Sequence, residues 1–163
     1  MISQEGAPRL GAGRDALART FPRPGFADVT PPGPAALVIE NDYGSKLALT
    51  ALLERIRLSV VAVESGHTAL DTLAERDDIA IVLIDILMPS MDGYETMTAI
   101  RERPRFANLP IIALTGKDTN GERERCIAAG ASDYIPKPID TPVLLTAIAS
   151  WMMPEETTPS ARW

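Results

Sequence analysis

Six residues each follow an apolar run and carry groups able to do chemistry together: Glu40, Asn41 and Asp42, then Asp85, Thr115 and Lys137. Carboxylates gathered at one edge repel each other and call for a cation. A hard divalent ion with oxygen ligands, Mg²⁺ above all, answers that need. A carboxylate can also attack phosphorus and form an acyl phosphate. An ammonium such as Lys137 and a hydroxyl such as Thr115 could then neutralise and hydrogen-bond the phosphoryl oxygens. Phosphoryl transfer depends mainly on such positioning and charge stabilisation.

The elements that must hold these groups alternate between strand and helix. Ala36 to Ile39 is a short apolar run ending at Glu40-Asn41-Asp42. Leu47, Ala48, Ala51, Leu52 and Ile56 then recur at helical spacing. Ser59 to Val63 is rich in valine and closes at Ser65-Gly66; a helix is predicted from Thr68 to about Glu75. Ile79 to Ile84 is apolar throughout, as a strand covered on both faces must be, and ends at Asp85. A helix from Tyr94 to about Arg101 precedes a fourth strand, Pro110 to Leu114, which ends at Thr115-Gly116. A charged helix near Gly121 to Ala129 stops at Gly130. Its Glu122 to Arg125 run reads as a solvated face, and Cys126 with Ile127 as its thin apolar side, so the helix should be loosely held. Ser132 to Ile135 is a short fifth strand leading to Pro136-Lys137-Pro138. Thr141 suits the N-cap of a last helix, with Pro142 at its first position and Leu144, Ala147, Ile148 and Trp151 on one stripe.

Five strand–helix units in this order predict an α/β fold with a parallel sheet. A doubly wound sheet presents its site at the carboxyl ends of its strands, where the strand order reverses. The six residues above all fall at such ends.

Bulk properties narrow the function classes. The chain has 163 residues, 45% apolar and 23% charged, which suits one globular domain with tails. Net charge is −6, and the segment between the first 34 and the last ten residues carries all of it. An acidic body argues against direct nucleic-acid binding. No apolar run approaches the ~20 residues of a membrane span, and the first residues lack the apolar stretch of a secretory signal. The single cysteine, Cys126, cannot form an internal disulfide, in keeping with a cytoplasmic location. The only histidine, His67, reads as a surface residue. Residues 1–34 are rich in Pro, Gly and Ala and read as a disordered leader or linker with a short helix around Asp15 to Thr20. Residues 154–163 read as a flexible tail, leaving 35–153 as the folded domain.

Four segments in order carry a family resemblance: ALVIENDYGSKLALTALLE, VLIDILMPSMDGYE, IIALTG and GASDYIPKPID. Together they resemble the receiver domain of response regulators, over about residues 35–153. The resemblance implies a flavodoxin-like (βα)5 fold with strand order 2-1-3-4-5. It implies Asp85 as phosphoacceptor, and Glu40, Asn41, Asp85 and the backbone carbonyl of Leu87 as the Mg²⁺ ligands. Thr115 and Lys137 would contact the phosphoryl group, Tyr134 would be an aromatic switch working with Thr115, and a cis bond is expected at Lys137-Pro138.

Such a domain is a phosphoacceptor in a two-component system, catalysing only its own phosphorylation and dephosphorylation. A histidine kinase or phosphotransfer protein would supply the phosphoryl group. A downstream protein would read the face made by the fourth helix, fifth strand and fifth helix, and phosphorylation-dependent homodimerisation is one form of output. A stand-alone regulator and a receiver from a hybrid kinase both fit this pattern.

One departure stands out. Asn41 occupies a position where the family usually has a metal-binding Asp, so it brings no charge, and Asp42 is the acid placed to compensate. Asn41 therefore motivates an alternative: a degenerate receiver acting as a phosphorylation-independent binding module. An aspartate-based phosphatase would need a second acid two residues past Asp85, where Leu87 stands. No GxxxxGK[ST] or GxGxxG loop points to a nucleotide.

Overall fold

The structure is a computed structural model that describes residues 33–89, 91–116 and 120–152. The expected leader up to residue 32, with its short helix, and the tail at 154–163 lie outside the described residues. Five strands, β1 (Ala35–Ile39), β2 (Ser59–Val63), β3 (Ile79–Asp85), β4 (Ile111–Thr115) and β5 (Asp133–Pro136), alternate with five helices. The helices are α1 (Tyr43–Arg55), α2 (Gly66–Glu75), α3 (Gly93–Arg101), α4 (Glu122–Ala129) and α5 (Thr141–Met152). All strand pairs are parallel and the order is β2-β1-β3-β4-β5, as expected for the doubly wound class.

Alternation along the central strands sorts the core into two layers. Leu37, Ile39, Val82 and Ile84 face α2, α3 and α4, meeting Leu73, Met97, Ile100 and Cys126. Ala36, Val38, Ile81 and Leu83 face α1 and α5, meeting Leu49, Leu53, Leu144 and Ile148. Burial on both faces explains why β3 shows no polar alternation. Each fully buried Leu, Ile, Val or Met among them contributes about 1.5–3 kcal/mol.

Four of the five helix starts carry side-chain caps; α4, which begins after Gly121, does not. Asp42, Ser65 and Asp92 accept from the backbone N–H groups of Ser45, Thr68 and Glu95. At α5 the expected cap is displaced by one residue: Asp140, not Thr141, accepts from Val143 N–H at 3.1 Å, so Thr141 opens the helix and Pro142 sits second. Both residue types can cap, and the ionised carboxylate is the stronger acceptor. The N–H that Pro142 lacks would have no partner in the first turn anyway. At Gly93 a Cβ would stand 2.6 Å from Ile86 Cα and 2.8 Å from Asp85 O, so only glycine lets α3 begin this close to the end of β3. Gly130 ends α4 in the left-handed region at φ 117°.

Two helix faces differ from the sequence expectation. In α1 the buried residues are Leu49 and Leu53, whereas Leu47 is 57% exposed and Ile56, just past the helix, is also exposed. In α4 Cys126 is buried but Ile127 is exposed, and Glu122, expected on a solvated face, is only 5% exposed. Trp151 on α5 is partly exposed and donates its indole N–H to Asp133 at 3.0 Å.

Candidate functional site

The strand order reverses beside β1, and the ends of β1 and β3 open the crevice there. Glu40 follows β1 directly and is 0% exposed. Its Oε1 accepts the backbone N–H of Asp42 at 3.0 Å, and its Oε2 accepts from Lys137 Nζ at 2.9 Å. Asp85 closes β3 at 5% exposure; its Oδ1 accepts the Leu87 N–H at 3.0 Å, and its Oδ2 lies 3.5 Å from Lys137 Nζ. One ammonium therefore faces two carboxylates delivered by two adjacent strands.

Thr115 ends β4 and is buried. Its neighbour Leu114 pairs with Asp85, and the Lys137 N–H donates to the Thr115 carbonyl at 2.6 Å. The same ladder that joins β4 to β5 thus delivers Lys137 to the crevice. The Lys137-Pro138 bond is cis, as the resemblance led one to expect. Tyr134 sits one strand over, half-buried, opposite Ala113 on β4.

The remaining residues are placed differently. Asn41 is exposed. Asp42 is exposed too, and its Oδ2 is committed to the α1 cap through Ser45 N–H at 2.7 Å. Leu87 is exposed at the turn after β3, its N–H turned to Asp85. Among the described residues, no group of three or more His, Cys, Asp or Glu side chains is arranged to hold a metal. The donors present are Glu40 and Asp85, with the Asn41 amide and the Leu87 carbonyl near them in sequence. All are hard oxygens, which fits Mg²⁺ in kind, with one charge fewer than an acidic pair would give.

The electrostatics follow from burial and pairing. Burial pushes the Asp85 carboxyl up, the Leu87 N–H pulls it down, the field of Glu40 raises it and Lys137 lowers it; the result stands above the ordinary range. Burial pulls Lys137 down, but its hydrogen bond to Glu40 and the fields of Asp85 and Glu40 outweigh this, so it stays above the usual lysine value. The Ser45 backbone N–H holds Asp42 below the usual carboxylate range.

Two features of the surroundings were not foreseen from sequence. Gly93 is required by its approach to the Asp85 backbone, and the only sign of this in sequence is the Asp-Gly pair of the second motif. Glu122 is buried against Tyr94, and no pattern within α4 signals it.

Comparison with known proteins identifies the family and the fold. The family model of the response regulator receiver domain matches residues 36–149. Sensor protein GacS of Pseudomonas syringae pv. syringae is 34% identical over 138 residues, covering 80% of this chain and 15% of GacS. Two-component response regulator ORR7 of Oryza sativa subsp. japonica is 28% identical over 117 residues, covering 72% of this chain and 55% of ORR7. The chain thus spans only part of these relatives. The crystal structure of the receiver domain of sensor histidine kinase PA1611 from Pseudomonas aeruginosa PAO1, with a magnesium ion coordinated in its active-site cleft, superposes with a TM-score of 0.67 at 32% identity. That match covers 74% of this chain and 98% of the PA1611 domain. With four ordered motifs, a flavodoxin-like sheet and a family match over most of its length, this chain belongs to the response regulator receiver domain family.

Proposed function

We propose that this domain accepts a phosphoryl group on Asp85 from a histidine kinase or a phosphotransfer protein and signals to a protein partner by a change of conformation. The observation that carries this reading is the position of Lys137, 2.9 Å from Glu40 and 3.5 Å from Asp85. An ammonium held there by a second carboxylate is ready for the charge that arrives with a phosphoryl group.

In this reading a carboxylate oxygen of Asp85 bonds to phosphorus as the P–N bond of the donor's phosphohistidine breaks, and the imidazole leaves with a proton from solvent. The Leu87 N–H orients Asp85 by holding Oδ1. Lys137 pairs with a phosphoryl oxygen while Glu40 keeps the ammonium at the crevice. Thr115, at the adjoining strand end, hydrogen-bonds a second oxygen. Glu40, Asp85, Asn41 and the Leu87 carbonyl would hold Mg²⁺, which supplies neutralisation of the transferring oxygens when bound. Tyr134, on the strand next to Thr115, is the residue through which the state of Thr115 reaches the surface. No helix among the described residues is long and apolar enough to cross a membrane. A cytoplasmic location and a stand-alone or hybrid-kinase context belong to the same proposal.

Intact-mass measurement after incubation with acetyl phosphate and MgCl₂ tests it. One phosphoryl group is expected on the wild type and none on Asp85→Asn. No uptake at saturating Mg²⁺ would favour the alternative, a degenerate receiver acting as a binding module, which the uncharged, exposed Asn41 motivates.

A further inference from the structure

Helix α4 is held in an unusual way. It has eight residues, and its buried side chains are Glu122 and Cys126, one of them charged. A helix with so little apolar surface gains little from packing and should lift away at low cost. At its first turn, however, Glu122 accepts a hydrogen bond from the hydroxyl of Tyr94 on α3. One turn later, the Arg125 guanidinium lies 4.2 Å from the centre of the Tyr94 ring. The ring itself packs on the core layer that includes Met97, Ile100 and Cys126.

The other end of this contact is rigid. Tyr94 follows Gly93, whose N–H donates to the Ile86 carbonyl at 3.1 Å and which abuts the backbone of Asp85. Asp92 caps α3 at the same place. The anchor is therefore fixed to the end of β3, while α4 follows the end of β4 in the chain. A carboxylate buried against a phenol is a stronger tie than a neutral pair, and an arginine over the ring adds to it. The charge at the first turn also suits the positive end of the helix.

We propose that the Tyr94–Glu122 hydrogen bond, covered by Arg125, is a latch that ties α4 to α3 and sets how often α4 lifts from the core. Beneath it lies Cys126, 0% exposed and the single cysteine of the chain. Each opening of α4 uncovers that thiol and the apolar surface under it. The inference stands without any phosphoryl chemistry at Asp85.

The test uses Cys126 as a built-in reporter in the full chain. Labelling by the aromatic disulfide reagent DTNB is followed together with amide hydrogen exchange over α4 and over β3. Tyr94→Phe removes only the hydroxyl and keeps the ring for packing and for Arg125. It is expected to speed Cys126 labelling roughly ten- to hundredfold, the range for a lost hydrogen bond to a charged group. Exchange in α4 should rise with it, and exchange in β3 should not. Glu122→Ala should act like Tyr94→Phe, whereas Glu122→Gln, whose carbonyl can still accept but in a weaker neutral bond, should speed labelling by less, roughly three- to tenfold over wild type. Labelling unchanged in Tyr94→Phe and Glu122→Ala overturns the latch. So does labelling that rises only in step with β3 exchange, since that reports global loss of stability.

Discussion

Lys137 and Glu40, 97 positions apart in sequence, meet at 2.9 Å, and Glu40 is fully buried there. β1 ends one residue before Glu40, and β5 ends one residue before Lys137. The pair therefore closes the crevice from both sides of the Asp85 strand. It also leaves Asp85 facing an ammonium that is already partnered, so the pocket carries a balancing cation built from the chain itself.

Removing that ammonium should leave a carboxylate stranded out of water. Lys137→Met is expected to destabilise the domain by about 2 kcal/mol, the scale of a hydrogen bond to a charged group. Adding Glu40→Gln should recover part of the loss, because the stranded charge is then gone. Urea unfolding of the two single variants and the double variant reads the coupling. Purely additive losses would mean that the pair contributes no shared energy.

Asn41→Asp adds one negative charge next to Glu40 in the chain, at a proposed Mg²⁺ ligand. Mg²⁺ binding, followed by calorimetry, is expected to tighten roughly tenfold, as one added unit charge among the proposed ligands contributes about 1.4 kcal/mol. Unchanged or weaker affinity would mean that Asp42 already acts as the compensating acid, giving up its bond to Ser45 N–H to do so.

Stability at alkaline pH should report Cys126. Burial first, and then the field of Glu122, push its thiol up to about 11 from 9.0. The folded state thus keeps a proton that the unfolded thiol releases. This contribution is intact below about pH 9 and is lost as pH rises toward about 11, by roughly 1–3 kcal/mol. Urea unfolding at intervals from pH 8 to 11 should show a steeper fall for wild type than for Cys126→Ala. Tyr94 is raised as well, by burial and by its bond to Glu122, so a residual fall of the same sign should persist in the variant. Parallel curves for the two proteins would contradict the assignment.

How much of this was legible in the sequence depends on the kind of signal. Strands buried on both faces announce themselves as runs such as Ile79 to Ile84, and the residues after them had to converge by the geometry of parallel sheets. Glu40, Asp85, Thr115 and Lys137 could therefore be brought to one edge without knowing a distance. The phase of α1 could not. Its sequence from Tyr43 to Arg55 has apolar residues on most sides, so period alone does not tell Leu49 and Leu53 from Leu47. The burial of Glu122 was hidden for a different reason: it depends on Tyr94, 28 positions earlier on another helix, and charge patterning within one helix cannot show that. The Asp140 cap was a choice between two adjacent capable residues, which only geometry decides.

That Asp85 takes the phosphoryl group is tested by peptide mapping of the protein after reaction with acetyl phosphate and MgCl₂. One modified peptide is expected, spanning β3 and the turn after it, with the modification on Asp85 and released by hydroxylamine, as an acyl phosphate must be. A stable phosphate on a serine, threonine or histidine peptide, with the Asp85 peptide unmodified, would contradict it.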